Sequence, residues 1–276
     1  MANKYIIKAT GEREEFNSEK LRNSLDRAGA EDDQIEKIIS KIESELKDNT
    51  TTKEIYHHAF ELLASIESPA AGRYSLRQAI MDLGPTGFPF EQFVAEIFKL
   101  KGFKVKNNFI AEGKCAEHEI DIVIWNNEKL IMIETKFHNE PGVKSDLKVA
   151  LYVKARWEDL ADKNFDFDSQ RKIDEGWLIT NTKFSESAIK YAECQKMKII
   201  GWNYPAKGNL QDLVEESKLH PITSLKSIKP SDKRRLIEAG VILCRQAREN
   251  QDILKQCGLS NTEITEIMIE INSFHI

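Results

Sequence analysis

The sequence has little of several features that would place a protein in a class at once. It has four cysteines among 276 residues and no Cys-x-x-Cys pair, which is typical of reduced thiols rather than a disulfide framework or a zinc site. No apolar run approaches the ~18 residues of a membrane-spanning helix. The first residues also lack the apolar core of a signal peptide. We therefore expect a cytoplasmic protein with no membrane partner.

Positive charge is also scarce overall. The formal net charge is −5, so composition alone does not indicate nucleic-acid binding. One region departs from this balance, because basic side chains outnumber acidic ones between residues 226 and 248. The basic side chains there are Lys226, Lys229, Lys233, Arg234, Arg235, Arg245 and Arg248. A local basic surface can bind phosphates within an acidic protein, and the alternative is a solvated helix face.

The clearest pattern is a predicted β-hairpin over residues 119–136. Two alternating apolar segments are joined there by a short turn containing asparagine. Glu134 and Lys136 are two residues apart in the second strand and share a face, and strand pairing can bring Asp121 beside them. Two carboxylates and an ammonium at the end of a buried hairpin are costly unless a cation binds there. The alternative is an ordinary ion pair between Glu134 and Lys136.

The flanking sequence predicts a mixed sheet with helices on its faces, in the order αβββαβαβ. Before the hairpin, an amphipathic helix covers 90–98, and Gly102 ends it ahead of a strand at 103–106. After the hairpin we expect a helix over about 145–162, with Leu147, Leu151 and Leu160 as its apolar residues. Strands at 176–180 and 198–202 and a helix at 186–196 complete the predicted order.

This order resembles the Mrr-like restriction endonucleases of the PD-(D/E)xK superfamily over residues 88–203. The matching segments are Phe90-Glu91, Gly102-Phe103, Ile120-Asp121-Ile122, Glu134-Thr135-Lys136 and Leu178-Ile179-Thr180-Asn181. No proline precedes Asp121, whereas the motif lysine is present. The resemblance implies a catalytic domain over 88–205 and a metal-dependent endodeoxyribonuclease.

The chemistry of phosphodiester hydrolysis agrees with the resemblance. The substrate is anionic, and Mg²⁺ prefers hard oxygen ligands, which Asp121, Glu134 and the Thr135 carbonyl would supply. Lys136 would polarise the attacking water and stabilise the developing charge. Glu91 would reach the catalytic site from the first helix as an additional acidic ligand or an orienting residue, and the alternative for it is a solvated helix position. For His118 and His138, beside the two strands, surface or substrate-contacting positions are favoured over metal ligation.

The first 84 residues predict a strand at Tyr5-Ile6-Ile7-Lys8, a turn at Thr10-Gly11 and four helices. These helices begin after Asn17 or Ser18, before Ile35, at the Thr50-Thr51-Thr52 cap and at Ser68-Pro69. Segments 7–20, 52–55 and 70–77 resemble the ATP-cone domain, so the resemblance covers about 4–83. It implies an ATP or dATP site lined by Lys8, Glu14, Asn17, Lys20 and Thr52. Ala9 and Tyr56 depart from the usual pattern, which leaves a purely structural cone as the alternative.

Residues 209–276 predict a small helical C-terminal domain. Leu225-x-x-Ile228 followed by 233–240 is similar to a helix-hairpin-helix unit, which contacts phosphates without reading bases. Its usual Gly-hydrophobic-Gly hairpin is replaced by Ile228-Lys229-Pro230, so a packing or dimerisation element is the alternative.

The whole chain therefore predicts a mixed α/β protein. It combines an ATP-cone over 1–84, a restriction-endonuclease-like domain over 88–205 and a helical C-terminal domain over 209–276. We expect a Mg²⁺-dependent DNA endonuclease that acts as a homodimer and responds to ATP or dATP. No phosphate loop of the G-x-x-x-x-G-K-[ST] type is present, so the nucleotide would regulate rather than drive the reaction. The alternative is a non-catalytic, nucleotide-responsive DNA-binding or regulatory protein.

Overall fold

Packing divides the computed structural model into two units, which we describe separately. The structure describes residues 4–8, 11–66, 76–140 and 142–274. The first unit comprises Met1–Gln78 with Glu140–Gly142, and the second comprises Ala79–Asn139 with Val143–Ile276. The predicted Ser68-Pro69 helix start, the 70–75 segment of the cone pattern and the position of Ala9 lie outside the described residues.

Short strands and helices build the first unit. They are β1 (Tyr5–Ile7), β2 (Arg13–Glu15), α1 (Ser18–Arg27), α2 (Asp32–Glu45), β3 (Thr50–Thr51) and α3 (Thr52–Ala64). β1 pairs antiparallel with β2, and it also pairs in parallel with β3, which the sequence does not predict. A strand of two residues is too short to show the period-two alternation that identifies strands.

Two predicted helix starts are confirmed at atomic detail. The Asn17 side chain caps α1 by accepting a hydrogen bond from the Glu19 backbone N–H at 2.9 Å. Thr51 and Glu54 form a capping box at the start of α3. The isoleucines of α2 that recur at helical spacing are buried against α1 and α3, so the predicted apolar face is the one that packs.

Strands and helices around one mixed sheet form most of the second unit. Its elements are residues 79–81 of α4 (76–81), α5 (Phe88–Leu100), β4 (Lys104–Glu112), β5 (Glu117–Trp125), β6 (Leu130–Lys136), β7 (Lys144–Ser145), α6 (Leu147–Leu160), β8 (Phe165–Asp166), β9 (Gln170–Arg171), β10 (Glu175–Thr180), β11 (Lys183–Phe184), α7 (Glu186–Cys194) and β12 (Lys198–Ile200). The main sheet has the strand order β12-β10-β6-β5-β4. β5 pairs antiparallel with both β4 and β6, whereas β10 pairs in parallel with both β6 and β12. The predicted αβββαβαβ order is therefore confirmed, with short extra strands between its elements.

The end of the chain forms helices that pack on the same unit. They are α8 (Leu210–Ser217), α9 (Pro230–Glu238), α10 (Cys244–Glu249), α11 (Gln251–Gln256) and α12 (Asn261–Ser273). These helices bury an apolar cluster of their own, centred on Leu225, Leu236 and Ile267. The Thr223 hydroxyl also donates to the Ala79 carbonyl at 2.5 Å, and Arg245 pairs with Glu96 at 2.8 Å. The predicted C-terminal region is thus helical, and it belongs to the second unit.

The helix-hairpin-helix pattern near residue 225 does not take its predicted form. Ile222–Ser224 is a single 3-10 turn, and no α-helix precedes α9 between 222 and 229. Pro230 occupies the first turn of α9, and Lys229 before it is extended with ψ 150°. A residue before proline avoids the helical region, so the chain enters α9 from an extended segment rather than from a first helix.

Candidate active site

The β5–β6 hairpin brings the predicted site residues to the middle of the main sheet. Its paired register ends at Ile122 with Ile133, and Asp121 and Glu134 are the next residues of the two strands beyond that pair. The turn is closed by Asn126, whose side-chain oxygen accepts from two backbone N–H groups, those of Glu128 and Lys129. The two carboxylates therefore lie on strands, immediately beyond the last residues that pair, and not in a loop.

Asp121 is held in place by the residue after Glu134. Its Oδ2 atom accepts from the Thr135 backbone N–H at 2.7 Å and from the Thr135 hydroxyl at 3.1 Å. Burial raises the pKa of Asp121, and the two hydrogen bonds from Thr135 act against that rise. Both bonds involve one carboxylate oxygen, so the orientation of the group is fixed.

Glu134 faces a buried arginine. Nη1 of Arg156, on α6, donates to Glu134 Oε2 and also to the Glu119 carbonyl at 2.7 Å. Burial and the charge of Asp121 nevertheless raise the pKa of Glu134 to about 8, against the opposing effect of Arg156. The predicted alternative of a Glu134–Lys136 pair is not what the structure shows, because the ion pair of Glu134 is made with Arg156.

Glu91 belongs to the same cluster of charges. It projects from the first turn of α5 and is half-buried. Burial raises its pKa to about 7, and the charges of Asp121 and Glu119 contribute to the rise. Glu91 also raises the pKa of Glu134. These mutual effects place Glu91 beside the hairpin and not on a distant solvated face.

Lys136 and Thr135 complete the predicted motif at the end of β6. The Lys136 side chain is exposed, and its positive charge lowers the pKa of Glu134. Its carbonyl accepts from the Thr180 hydroxyl on β10 at 2.7 Å, which fixes the backbone at this point. The ammonium therefore lies at the open edge of the cluster, whereas the guanidinium of Arg156 lies at its closed side.

The carboxylates suit a hard divalent cation chemically. Burial raises the pKa of each of them, and the charge of Asp121 adds to the rise for Glu91 and Glu134, so the cluster is short of positive charge. Across the described ranges, no group of three or more His, Cys, Asp and Glu side chains is arranged to hold an ion by itself. Mg²⁺ is commonly bound by one or two carboxylates while keeping several waters, and Asp121 with Glu134 fits that pattern.

The two histidines beside the motif strands have structural partners. His118 Nε2 lies 2.8 Å from Asp159 Oδ2, and Asp159 also accepts from the backbone N–H groups of Cys115 and Ala116. His138 Nε2 lies 2.9 Å from the Ser145 hydroxyl, and burial lowers its pKa. Both histidines therefore support the ends of the hairpin strands.

The predicted nucleotide residues of the first unit also come together. A pocket enclosing about 560 Å³, its open mouth included, is lined by Glu14, Asn17, Lys20, Thr52 and the apolar side chains around them. Lys20 Nζ lies 3.0 Å from both Glu14 oxygens, and Lys8 Nζ lies 3.2 Å from Glu14 Oε2. Lys8 therefore contacts the residues of this pocket through its ion pair with Glu14. Tyr56 also lines this pocket.

Several residues of the predicted basic surface between 226 and 248 form hydrogen bonds or ion pairs within the protein. Lys233 Nζ donates to the Thr223 carbonyl at 2.7 Å, and burial lowers its pKa. Arg235 pairs with Asp232 at 2.6 Å, and Lys229 lies 3.4 Å from Glu263. These basic residues thus have structural roles, and phosphate binding by this surface stays a prediction.

Sequence reasoning overlooked Arg156. Of the predicted apolar residues of α6, Leu160 is buried, whereas Leu151 is 44% exposed. The buried residues are Ala150, Val153, Arg156 and Leu160, at spacings of three and four. That spacing is visible in the sequence, and an arginine within such a stripe indicates a buried acidic partner.

Comparisons with known proteins agree with this architecture. The ATP cone domain family matches residues 4–79, the restriction endonuclease family Mrr_cat matches 85–204, and the family described as AF1548-like, C-terminal, matches 220–274. An uncharacterized protein of Archaeoglobus fulgidus is 38% identical over 178 residues, which cover 64% of this chain and 97% of that protein. The crystal structure of the protein of unknown function AF1548 is 36% identical with a TM-score of 0.56, covering 68% of this chain and 97% of that one. Can2 from Sulfobacillus thermosulfidooxidans, in complex with cyclic tetra-adenylate, has 14% identity and a TM-score of 0.35 over 72% of this chain and 52% of that one, too low to carry an argument.

The fold and these matches define a restriction-endonuclease-like protein with an N-terminal ATP cone. Its domain content indicates a nuclease. More particularly, the chain belongs to the AF1548-like family, since it spans nearly the whole length of a relative that is 38% identical. Among the described residues, no helix has both the length and the apolar character needed to cross a bilayer.

Proposed function

We propose that the second unit is a Mg²⁺-dependent DNA endonuclease centred on Asp121, Glu134 and Lys136. The observation that supports it most is the charge-deficient carboxylate cluster at the end of a rigid hairpin, with an exposed lysine at its edge. A purely structural cluster would be expected to balance its charges, because unpaired buried carboxylates cost stability.

The proposed role of each residue in the reaction follows from its position in the site. Asp121, Glu134 and the Thr135 carbonyl would hold Mg²⁺, which supplies charge neutralisation to the anionic substrate when bound. Lys136, at the open edge, is placed to orient a water and to stabilise negative charge on the phosphate. Glu91, with a pKa near neutrality before a cation binds, is suited to exchange a proton with that water.

DNA cleavage assays test the proposal with a matched pair of variants. Glu134→Gln removes a proposed ligand, and Glu128→Gln makes the same chemical change at an exposed position of the same hairpin turn. With Mg²⁺ and supercoiled, linear, methylated or single-stranded DNA, we expect cleavage by the native protein and by Glu128→Gln. Cleavage by Glu134→Gln should fall by roughly 10²–10³. Absence of cleavage of every DNA form by the native protein, or equal cleavage by Glu134→Gln, would leave the non-catalytic regulatory alternative.

We also propose that the first unit binds ATP or dATP in the pocket beside Glu14, Asn17, Lys20 and Thr52. Lysine ammonium groups match phosphate charge, and the amide and carboxylate can hydrogen-bond ribose or adenine. Because Lys8 and Lys20 already pair with Glu14, binding requires that these ion pairs rearrange. The nucleotide would shift a conformational or oligomeric equilibrium, with a homodimer bringing two centres to two DNA strands. Light scattering with and without nucleotide measures that equilibrium.

A further inference from the structure

The most unusual cation of the second unit is Arg156, which lies within the carboxylate cluster. Its side chain is only 9% exposed. Nη1 contacts Glu134 and the Glu119 carbonyl, and Nη2 contacts the Tyr152 hydroxyl. Its guanidinium carbon also lies 4.5 Å from the centre of the Tyr152 ring. The guanidinium is therefore anchored from several directions at the site.

One donor of this arginine is not used. Nε of Arg156 is buried and has no hydrogen-bond partner. A buried donor without a partner costs free energy, and a buried ion pair stabilises a fold poorly compared with apolar residues of similar volume. Stability alone therefore does not account for an arginine at this position, and a ligand that completes its hydrogen bonds would.

Arg156 and a divalent cation compete for Glu134. Glu134 Oε2 is taken up by Nη1 in the present structure. A cation bound by Asp121 and Glu134 would lie within a few ångströms of the guanidinium, where like charges repel. Cation binding therefore favours release of Arg156 from Glu134.

The released guanidinium would stay beside the site. The Glu119 carbonyl at 2.7 Å and the Tyr152 ring remain available to it after Glu134 is lost. It would then have a free N–H on Nη1 and, on a different edge of the group, the unpaired Nε–H. Either N–H can donate to a phosphate oxygen, and the guanidinium stays charged, whereas a lysine has a single ammonium on a shorter reach.

We propose that Arg156 is a phosphate-binding catalytic residue of this centre, held on Glu134 until a divalent cation takes that carboxylate. The proposal rests on the proposed nuclease function, because a phosphodiester is the ligand that it assigns. It predicts that removing Arg156 has opposite effects on the two ligands: the cation binds more tightly, and DNA binds less tightly. A merely structural arginine would weaken both.

Binding measurements on the full chain test this without relying on cleavage. Mg²⁺ affinity is measured by calorimetry at pH 9, and affinity for a DNA duplex is measured with Ca²⁺ in place of Mg²⁺. For Arg156→Met we expect Mg²⁺ affinity to rise roughly tenfold or more, because a competing positive charge is removed. DNA affinity with Ca²⁺ should fall roughly tenfold. Unchanged or weaker Mg²⁺ binding would overturn the competition, and unchanged DNA binding would overturn the phosphate role.

A matched control lies two positions away on α6. Lys154 Nζ lies 4.3 Å above the Trp157 ring and 3.3 Å from Glu158, so Lys154→Met removes a cation that has partners elsewhere. Both affinities should change less than twofold in that variant. If Arg156→Met fails to fold, Arg156→Lys retains the charge without the separate N–H donors at Nε and Nη1. It should leave Mg²⁺ affinity near that of the native protein and still weaken DNA binding, and native DNA binding by this variant would overturn the proposal. Failure of the native protein to cleave DNA would count against the nuclease function, whereas these affinities decide the role of Arg156.

Discussion

Replacing Glu91 by glutamine should stabilise the metal-free protein at neutral and alkaline pH. Glu91 is half-buried beside like charges, and its pKa is raised from 4.5 to about 7. Its ionised form is therefore disfavoured in the folded state relative to the unfolded chain. Glutamine keeps the shape of the side chain and removes the charge, so it avoids this cost.

The sign and size follow from proton linkage. Between pH 4.5 and about 7 the folded state binds more protons than the unfolded state, so the native stability falls as pH rises through this window. A fully shielded group would lose about 3.4 kcal/mol over such a range. Because Glu91 is only half-buried, solvent screening reduces the expected effect to about 1–2 kcal/mol. Glu91→Gln should therefore match the native protein near pH 4.5 and exceed it by that amount above pH 7.

Urea unfolding with a chelator present, followed by tryptophan fluorescence, measures the difference. All four tryptophans, at positions 125, 157, 177 and 202, lie in the second unit, so the signal reports on the unit that contains Glu91. The comparison is made at pH 5, 6, 7 and 8. A difference that does not grow with pH, or a variant less stable than the native protein at pH 8, would refute the electrostatic reasoning. Added Mg²⁺ should reduce the difference, because a cation held by Asp121 and Glu134 would offset the repulsion on the ionised Glu91.

Two further predictions concern other parts of the chain. Lys20→Met should reduce the affinity for ATP or dATP, measured by calorimetry, at least tenfold, because Lys20 lines the pocket. The circular dichroism spectrum should stay unchanged, because the Lys20 side chain is exposed. Equal nucleotide affinity in the variant would exclude the proposed site. Asp159→Asn should lower the melting temperature and expose the turn at 113–116 to proteolysis, since Asp159 accepts from the Cys115 and Ala116 backbone N–H groups. The pKa of Asp159 is held at about 2, chiefly by the hydrogen bond from His118, so its stabilisation is present above pH 3.8 and is lost as pH falls towards 2. A variant with native melting temperature at pH 7 would contradict this.

Much of the architecture could be predicted from the sequence because its elements are long and periodic. The nine-residue β5 and the seven-residue β6 alternate clearly enough to give the hairpin, and α2 shows its buried face through four isoleucines. The two-residue β3 and the 3-10 turn before α9 could not be predicted in this way, since neither is long enough to show a period. The turn is instead fixed by a tertiary contact, the bond of Thr223 to the Ala79 carbonyl.

The candidate site could likewise be predicted from the sequence only in part. Asp121 and Glu134 could be placed together from strand pairing alone, because that contact is between neighbours in a hairpin. The pairs Arg156 with Glu134 and His118 with Asp159 join α6 to the sheet across 22 and 41 positions of sequence. Only the tertiary packing decides such pairs, and a sequence can at most indicate that a charged residue lies in a buried stripe.

The predicted stability of Glu91→Gln and the proposed exchange of Arg156 arise from one cause. A fold that buried these carboxylates for structure alone would be expected to pair each with a cation, and Glu91→Gln would then destabilise it. If these carboxylates instead form a binding site for a divalent ion, neutralising Glu91 stabilises the metal-free protein, and removing Arg156 increases its affinity for the cation. The two experiments use different variants and different observables. The Arg156 experiment separates the two origins, since removal of a structural arginine would weaken cation binding, whereas the Glu91 experiment tests the burial and repulsion that favour a cation at the cluster.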